Sequence, residues 1–282
     1  MQRLGSMGRR RFRPILAALT LSAALLPAQA AGAAVGLAPH RAVYELEMSA
    51  TRANSNVVAG GGTMEYEWSD VCDGWALSHK ARVDLSYSNG RSLSFGWSLT
   101  SWEAKDGLSY RFFIRRFSNG EQTEKVRGRA SLEGAGEKGS ASFSLPEERS
   151  VELPAGTLFP TAHTLDVLNR FEEGEGVLWH TVFDGSGDNG LFQISSISAG
   201  SYSPGEDLSE DLGESGLLEG KRSWVALFAF FDPQEQASEP THEQRLRVFP
   251  NGVVSELKLD YGDFVLAGAP QEIEALPAPE CE

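Results

Sequence analysis

The chain has 282 residues, and its 39 acidic residues outnumber its 25 lysines and arginines, which gives a formal net charge of −14 at pH 7. Charge of this sign repels phosphate backbones and anionic lipid, so it argues against nucleic acid as a partner and against simple electrostatic docking on a membrane. A hydrophobic content of 41%, with fifteen Phe and six Trp, is ample for a core and argues against wholesale disorder.

The first thirty residues are typical of a secretory signal peptide. Arginines between Arg3 and Arg13 precede an apolar run from Ile15 to Leu26, and a small-residue cleavage site ends at Ala30. The run is too short to span a bilayer comfortably, so we expect residues 1–30 to be removed and the mature chain not to be an integral membrane protein. An uncleaved anchor is the alternative. Without the five signal arginines, 20 basic residues face 39 acidic ones, a net charge of about −19.

From residue 40 onward the dominant pattern has a period of two. Apolar and polar residues alternate from Tyr44 to Met48 and, at greatest length, from Trp75 to Leu85. This alternation predicts strands with one packed face and one solvated face. Asn-Gly pairs at residues 89–90, 119–120 and 251–252 are typical of hairpin turns. We count about twelve to fourteen strands, which predicts that residues 31–282 form a single, mainly β domain with one large antiparallel curved sheet or barrel.

Two segments depart from this pattern. Residues 160 to 173 carry apolar side chains at helical spacing, with Pro160 in the first turn and Gly174 just beyond the end. They predict one short helix that either closes one mouth of the curved sheet or packs on its apolar face. Residues 199 to 221 contain five glycines and six acids without periodicity, which predicts a mobile acidic loop. A role of this loop in partner binding is an alternative to a simply solvated one.

The chain contains two cysteines, Cys72 and Cys281. An even number in an exported protein favours a disulfide, because the compartments outside the cytosol are oxidising. Cys72 lies in a turn between two predicted strands, and Cys281 is the penultimate residue, where it cannot contribute to a core. We therefore predict a disulfide between an early hairpin and the C-terminus. Two unpaired thiols are the alternative.

Motifs of metal, cofactor and catalytic sites are not evident. The five histidines, His40, His79, His163, His180 and His242, lack the spacing of zinc ligands. The segment from Asp184 to Gly190 resembles a calcium loop but has Asn189 where glycine is needed and Ser195 where the final glutamate is needed. No nucleophile elbow or glycine-rich phosphate loop follows a predicted strand. We therefore expect no metal, no cofactor and no enzymatic activity.

Aromatic residues at strand spacing are the remaining candidates for function. A curved sheet this rich in aromatic side chains could enclose a cavity for an acyl chain. The candidate apolar ligand face consists of Trp75, Leu77, Phe95, Trp97 and Phe112. The alternative is that these side chains simply form the core.

Several stretches together resemble one family. They are Leu37–Tyr44, Gly62–Trp68 leading into Cys72–Trp75, Gly156–Thr164, Phe183–Ser186, and Leu257–Phe264 with Cys281 near the end. On these residues the chain resembles the EipB-like cell-envelope integrity proteins of Gram-negative bacteria, long catalogued as a domain of unknown function. The resemblance extends over essentially the whole chain after the signal segment. The Cys-Asp-Gly-Trp motif paired with a terminal cysteine is its most specific part.

The resemblance implies a periplasmic β-spiral, that is, an incompletely closed barrel, bridged by Cys72 and Cys281. It also implies a role in envelope integrity with no established enzymatic activity, and we expect the protein to act by binding envelope proteins or lipid. One alternative is a periplasmic carrier or chaperone for lipid or lipoprotein that uses an apolar concave face. A less favoured alternative is a hydrolase of envelope polymers.

Overall fold

Most of the chain from residue 40 onward forms strands, as the alternation predicts. The computed structural model describes residues 35–208, 212, 216–234 and 239–281, so the predicted signal peptide at 1–30 lies outside the described residues. The first strands are β1 (His40–Thr51), β2 (Val57–Asp70), β3 (Gly74–Tyr87), β4 (Ser92–Ala104), β5 (Ser109–Ser118), β6 (Glu121–Leu132), β7 (Gly139–Leu145) and β8 (Arg149–Leu153). They are followed by β9 (Thr157–Leu158), α1 (Pro160–Glu172), β10 (Val177–Phe183), β11 (Leu191–Tyr202), β12 (Ser223–Phe231), β13 (His242–Val248), β14 (Val254–Asp260) and β15 (Phe264–Ala275).

These strands form one sheet that is nearly closed into a barrel. Strands β1 to β8 are neighbours in chain order, and so are β9 to β15. The two runs meet where β1 pairs with β15, from His40 opposite Ala275 to Thr51 opposite Phe264. We call this pairing the β1–β15 junction. Strands β8 and β9 follow each other in the chain but lie at the two edges of the sheet, so the predicted incompletely closed barrel is confirmed.

The described residues contain fifteen strands, whereas the alternation predicted about twelve to fourteen. Three strands were not predicted individually. Strands β8 and β9 have five and two residues, too few for a period of two to be evident. Strand β15 passes through Gly268 and Pro270, residue types that are rare in strands, and its pairing with β1 and β14 maintains it as a strand.

Helix α1 begins and ends where the sequence predicts. Pro160 is in its first turn, and Gly174 follows its end with a φ of +90°. Its buried side chains include Val167, Leu168 and Phe171. They pack in a cluster with Leu37, Trp68, Leu178, Trp224, Ala226 and Val248. The helix therefore packs on the apolar face of the sheet, which is one of the two predicted positions. Within the described residues, no helix is both long and apolar enough to cross a membrane.

The core lies on the face of the sheet that carries Leu46, Val83 and Phe112, which we call the inner face. A first cluster joins β1 to β3 with β14 and β15, and a second joins β5 to β7 with Phe159 and Phe183. The cluster around α1 is the third. Full burial of one Val, Leu or Phe side chain in these clusters contributes about 1.5–3 kcal/mol to the stability of the fold.

The acidic loop differs from the prediction in its start and in its attachment. Strand β11 continues to Tyr202, so the first four residues of the predicted segment belong to a strand. Arg247 of β13 is only 1% exposed and donates hydrogen bonds to the backbone carbonyls of Glu206 and Asp207. Leu218 is fully buried. Leucines interspersed among the acids attach the described parts of this loop to the sheet, a contribution that overall composition does not reveal.

Candidate functional site

The residues predicted as an apolar ligand face lie on the inner face. Alternation along β3 places Trp75 and Leu77 on the same side as buried Val83. Antiparallel pairing places Phe95 of β4 opposite Val83, and directly opposed residues share a face. The same register includes all five predicted residues, Trp75, Leu77, Phe95, Trp97 and Phe112.

The five side chains do not form one continuous site. Phe112 is 3% exposed and packs against Phe143, with ring centroids 5.5 Å apart, so it is a core residue with little surface to offer a ligand. Phe95 and Trp97 pack at the margin of the first cluster, and Trp75 packs at the margin of the third. These three and Leu77 face inward but are only half-buried. Other described residues therefore leave part of the surface of these four side chains uncovered.

Aromatic rings form a continuous line along this part of the inner face. The line consists of Trp97, His79, Tyr66, Trp68 and Trp75, and we call it the interior aromatic row. Successive ring centroids are 5.7, 5.6, 5.9 and 6.1 Å apart, and each pair meets edge to face. This geometry is favourable for aromatic pairs, so the rings hold each other in place.

Isolated polar atoms lie along and near this row. Trp68 Nε1 and His79 Nε2 are buried and have no hydrogen-bond partner among the described residues, and the same holds for His163 Nε2 and His180 Nδ1. An unpaired buried polar atom costs about 1–3 kcal/mol. A ligand or water that reaches these atoms would recover that cost. Apolar walls with a few polar atoms are typical of small-molecule sites.

His79 and His163 are uncharged at neutral pH. Burial lowers the pKa of His79 to about 4. Burial, with a smaller contribution from the neighbouring His180, lowers the pKa of His163 to about 3. A ligand at the interior aromatic row would therefore meet an uncharged ring at His79.

Glu103 of β4 is the buried acid of the inner face, and sequence reasoning missed it. It is 2% exposed, and its two carboxylate oxygens accept hydrogen bonds of 2.7 Å from the N–H groups of Thr161 and Ala162 at the start of α1. Burial raises its pKa to about 7, and these hydrogen bonds oppose the increase. Two features of the sequence indicate such a contact. A glutamate occupies an inward position on β4, and the residue before the helix is Phe159, whose side chain cannot cap the helix N-terminus.

His180 and Asp184 each have a polar contact within the described structure. His180 Nε2 lies 3.0 Å from Asp166 Oδ2, and the His163 ring is 5.1 Å from that of His180. Asp184, in the segment that resembles a calcium loop, accepts a hydrogen bond of 2.7 Å from the N–H of Ser186 within the β10–β11 turn. In the part of the chain that the structure describes, no three His, Cys, Asp or Glu residues are grouped to hold a metal ion.

A disulfide joins the two halves of the sheet beside this site. Cys72 in the β2–β3 turn is bonded to Cys281 beyond β15, with the two Cα atoms 5.6 Å apart. Since β2 and β15 flank β1, the bond spans the β1–β15 junction. Asp70 accepts hydrogen bonds from the Cys72 N–H at 2.9 Å and from Lys105 Nζ at 2.6 Å, and that ammonium lies 3.5 Å above the Trp75 ring. The disulfide thus lies near one end of the interior aromatic row.

Known proteins share this architecture. The EipB-like family model matches residues 31–277. The cell envelope integrity protein EipB of Brucella abortus (strain 2308) is 30% identical over 245 residues, which are 86% of this chain and 85% of the relative. The crystal structure of a beta-barrel-like protein of a domain of unknown function, also from Brucella abortus, superposes with a TM-score of 0.77 at 25% identity, covering 86% of this chain and all of that one. The chain therefore belongs to the EipB-like family.

Proposed function

We propose that this chain is an exported, non-enzymatic protein of the periplasm that supports cell-envelope integrity by binding envelope proteins or lipid. The observation that carries the proposal is the 30% identity to the cell envelope integrity protein EipB, over 85% of that relative. The relative's name states a role in the envelope and names no reaction.

Two features of the chain support its location. The N-terminal segment has the charge and apolar pattern of a secretory signal. Cys72 and Cys281 are both exposed, and an exposed disulfide persists in an oxidising compartment but is reduced in the cytosol. Both features favour the periplasm.

The described side chains favour binding over catalysis. Both oxygens of Glu103 are occupied by the start of α1, and His79 and His163 are buried and neutral. A hydrolase of envelope polymers remains the less favoured alternative. Incubation of the purified protein with isolated peptidoglycan tests it, because release of soluble fragments would contradict the non-enzymatic proposal.

Deletion of the gene tests the envelope role directly. We expect the deletion strain to be more sensitive to detergents and to cell-wall antibiotics, and the full-length gene to restore resistance. A version without residues 2–30 is the matched control, and it should fail to restore resistance if the protein acts in the periplasm. Unchanged sensitivity in the deletion strain would contradict the envelope role, and rescue by the shortened version would contradict the location.

The interior aromatic row favours a second candidate function, carriage of a lipid or lipoprotein acyl chain. Its rings face inward yet are in part only half-buried, and two of its polar atoms are unpaired within the described structure. Native mass spectrometry of protein purified from the periplasm should detect a bound lipid. Trp97→Ala should lose it, whereas Trp179→Ala, at a position that is 60% exposed, should retain it. Unaltered protein that is empty on purification would argue against carriage.

A further inference from the structure

The opposite face of the sheet carries a groove rich in arginine. It extends over β4 to β8 and has a volume of about 880 Å³. We call it the arginine groove, and the residues that define it are Arg111, Arg127 and Arg129 with the rings of Trp102 and Phe113. Neighbouring strands are about 4.8 Å apart, so the groove is about 19 Å long.

The positive charges in this groove are not neutralised by the protein. Arg111 lies directly opposite Arg129 in the β5–β6 pairing, and like charges in directly opposed positions destabilise a sheet. On the same two strands, Arg115 also lies opposite Lys125, whereas Arg116 forms an ion pair of 2.8 Å with the opposed Glu124. None of the three groove arginines forms an ion pair or side-chain hydrogen bond with any residue that the structure describes. This is unexpected in a chain with such an excess of acids.

Aromatic rings orient the guanidinium groups. Arg111 lies 4.1 Å from the centroid of Trp102, and Arg127 lies 4.7 Å from that of Phe113. Stacking on a ring fixes the plane of the guanidinium but leaves its N–H groups free at the edge. Arg111, Arg127 and Arg129 are exposed, so these donors are accessible.

The donors present favour phosphate on a sugar over an acidic peptide. Guanidinium groups match phosphate oxygens with paired hydrogen bonds, and the hydroxyl groups of Ser142, Ser144 and Ser150 also line the groove. An extended peptide binds to a sheet edge through backbone hydrogen bonds, but the groove arginines lie on β5 and β6, which are paired with a neighbouring strand on both sides. Glu148 is the acid that lines it, and its charge is outnumbered by three arginines.

We infer that the arginine groove binds the phosphorylated sugar headgroup of an envelope glycolipid. The chemical class follows from the unpaired arginines and the hydroxyl groups. The choice of a lipid as the source of the phosphate rests on the proposed envelope function. This surface is separate from the interior aromatic row.

Binding to vesicles of defined composition tests the inference. The probe is neutral phosphatidylcholine vesicles that contain a bis-phosphorylated diglucosamine lipid, and the comparison probe contains the same lipid without its phosphates. The purified oxidised protein should bind the first and not the second. The double variant Arg111→Gln, Arg129→Gln should bind at least about tenfold more weakly. The matched double variant Arg52→Gln, Arg91→Gln, which removes two exposed arginines elsewhere, should bind like the unaltered protein.

Thermal unfolding separates ligand binding from a structural role. If the arginines mainly stabilise the sheet through ring stacking, the groove variant melts at a lower temperature and vesicle binding is unchanged, which overturns the inference. If they bind phosphate, the variant melts at the same or a higher temperature because a like-charge contact is removed. Equal binding to the lipid without phosphates, or stronger binding to a polyglutamate peptide, would also overturn it. If vesicle binding persists while gene deletion leaves the envelope unaffected, the proposed function fails and the groove assignment stands.

Discussion

Replacing Glu103 by glutamine tests whether this buried carboxyl connects β4 to α1 as the structure shows. Burial raises its pKa from an ordinary 4.5 to about 7, so the folded protein holds the proton more tightly than the unfolded chain does. The stability that this carboxyl provides is therefore fully present below about pH 4.5 and is lost as the pH rises through 7. At about 1.4 kcal/mol per pH unit, the change amounts to about 3 kcal/mol.

The Glu103→Gln variant keeps the shape of the side chain but cannot ionise. Its amide NH2 cannot accept a hydrogen bond, so one N–H of Thr161 or Ala162 becomes unpaired at a cost of about 1–3 kcal/mol. Urea unfolding of both proteins from pH 4.5 to 8 gives their free energies of unfolding, and that of the unaltered protein relative to the variant should fall by about 3 kcal/mol across the range, enough to offset the cost of the unpaired N–H. Taking the difference cancels the histidines, which act in the opposite direction. A difference that does not change with pH would refute the reasoning, and Glu45→Gln controls for loss of an exposed carboxylate.

Three further perturbations test other parts of the structure. Cys72→Ser opens a bridge that spans 209 residues, for which chain entropy sets an upper limit of about 5 kcal/mol, so the melting temperature in oxidising buffer should fall by several degrees. An unchanged value, with two titratable thiols in the unaltered protein, would disprove the bond. Burial lowers the pKa of His79 to about 4, so the stability that its neutral form provides above pH 6.5 is lost as the pH falls towards 4. In urea unfolding, His79→Phe should lose less stability than the unaltered protein as the pH falls. An unchanged dependence of stability on pH would count against burial of His79 as the cause of the loss. Gly185 has a φ of +80°, and a Cβ there would lie 2.3 Å from the Phe112 ring, so Gly185→Ala should cost more than about 2 kcal/mol in urea unfolding. Gly187→Ala, with φ of +64° and its nearest atom at 3.7 Å, should cost only about 1 kcal/mol, and equal losses would exclude crowding as the reason.

Local structure was largely predictable because its signals are local. Alternation predicted most of the long strands, and Pro160 and Gly174 defined the limits of the helix. The β1–β15 junction was not predictable from periodicity, since a period of two determines which face a side chain occupies and not which strand lies alongside. The family resemblance, rather than the strand pattern, supplied the incompletely closed barrel.

In the candidate site, too, the local pattern was predictable and the contacts between distant strands were not. Trp75 and Phe112 are both on the inner face, as alternation predicts, yet one is half-buried and the other is packed into a cluster. Side chains from other strands cover Phe112, including Phe143 of β7 and Phe183 of β10. Alternation along one strand carries no information about which side chains other strands contribute. The arginine groove was hidden for a different reason. A net charge averages over the whole surface and conceals a local excess of the opposite sign.

The place of β1 in the middle of the sheet constrains the order in which the chain can fold. Within each run of consecutive strands, every pairing joins strands that follow each other in the chain, so it can begin as soon as both strands are available. The second edge of β1 must instead wait for residues 264–275, which are among the last of the chain to be synthesised. During that interval the free edge of β1 presents unpaired backbone groups, which are a template for aggregation. A chain that ends before β15 is therefore not a slightly smaller domain. It is an open sheet in which one edge of β1 stays unpaired and can pair with other chains.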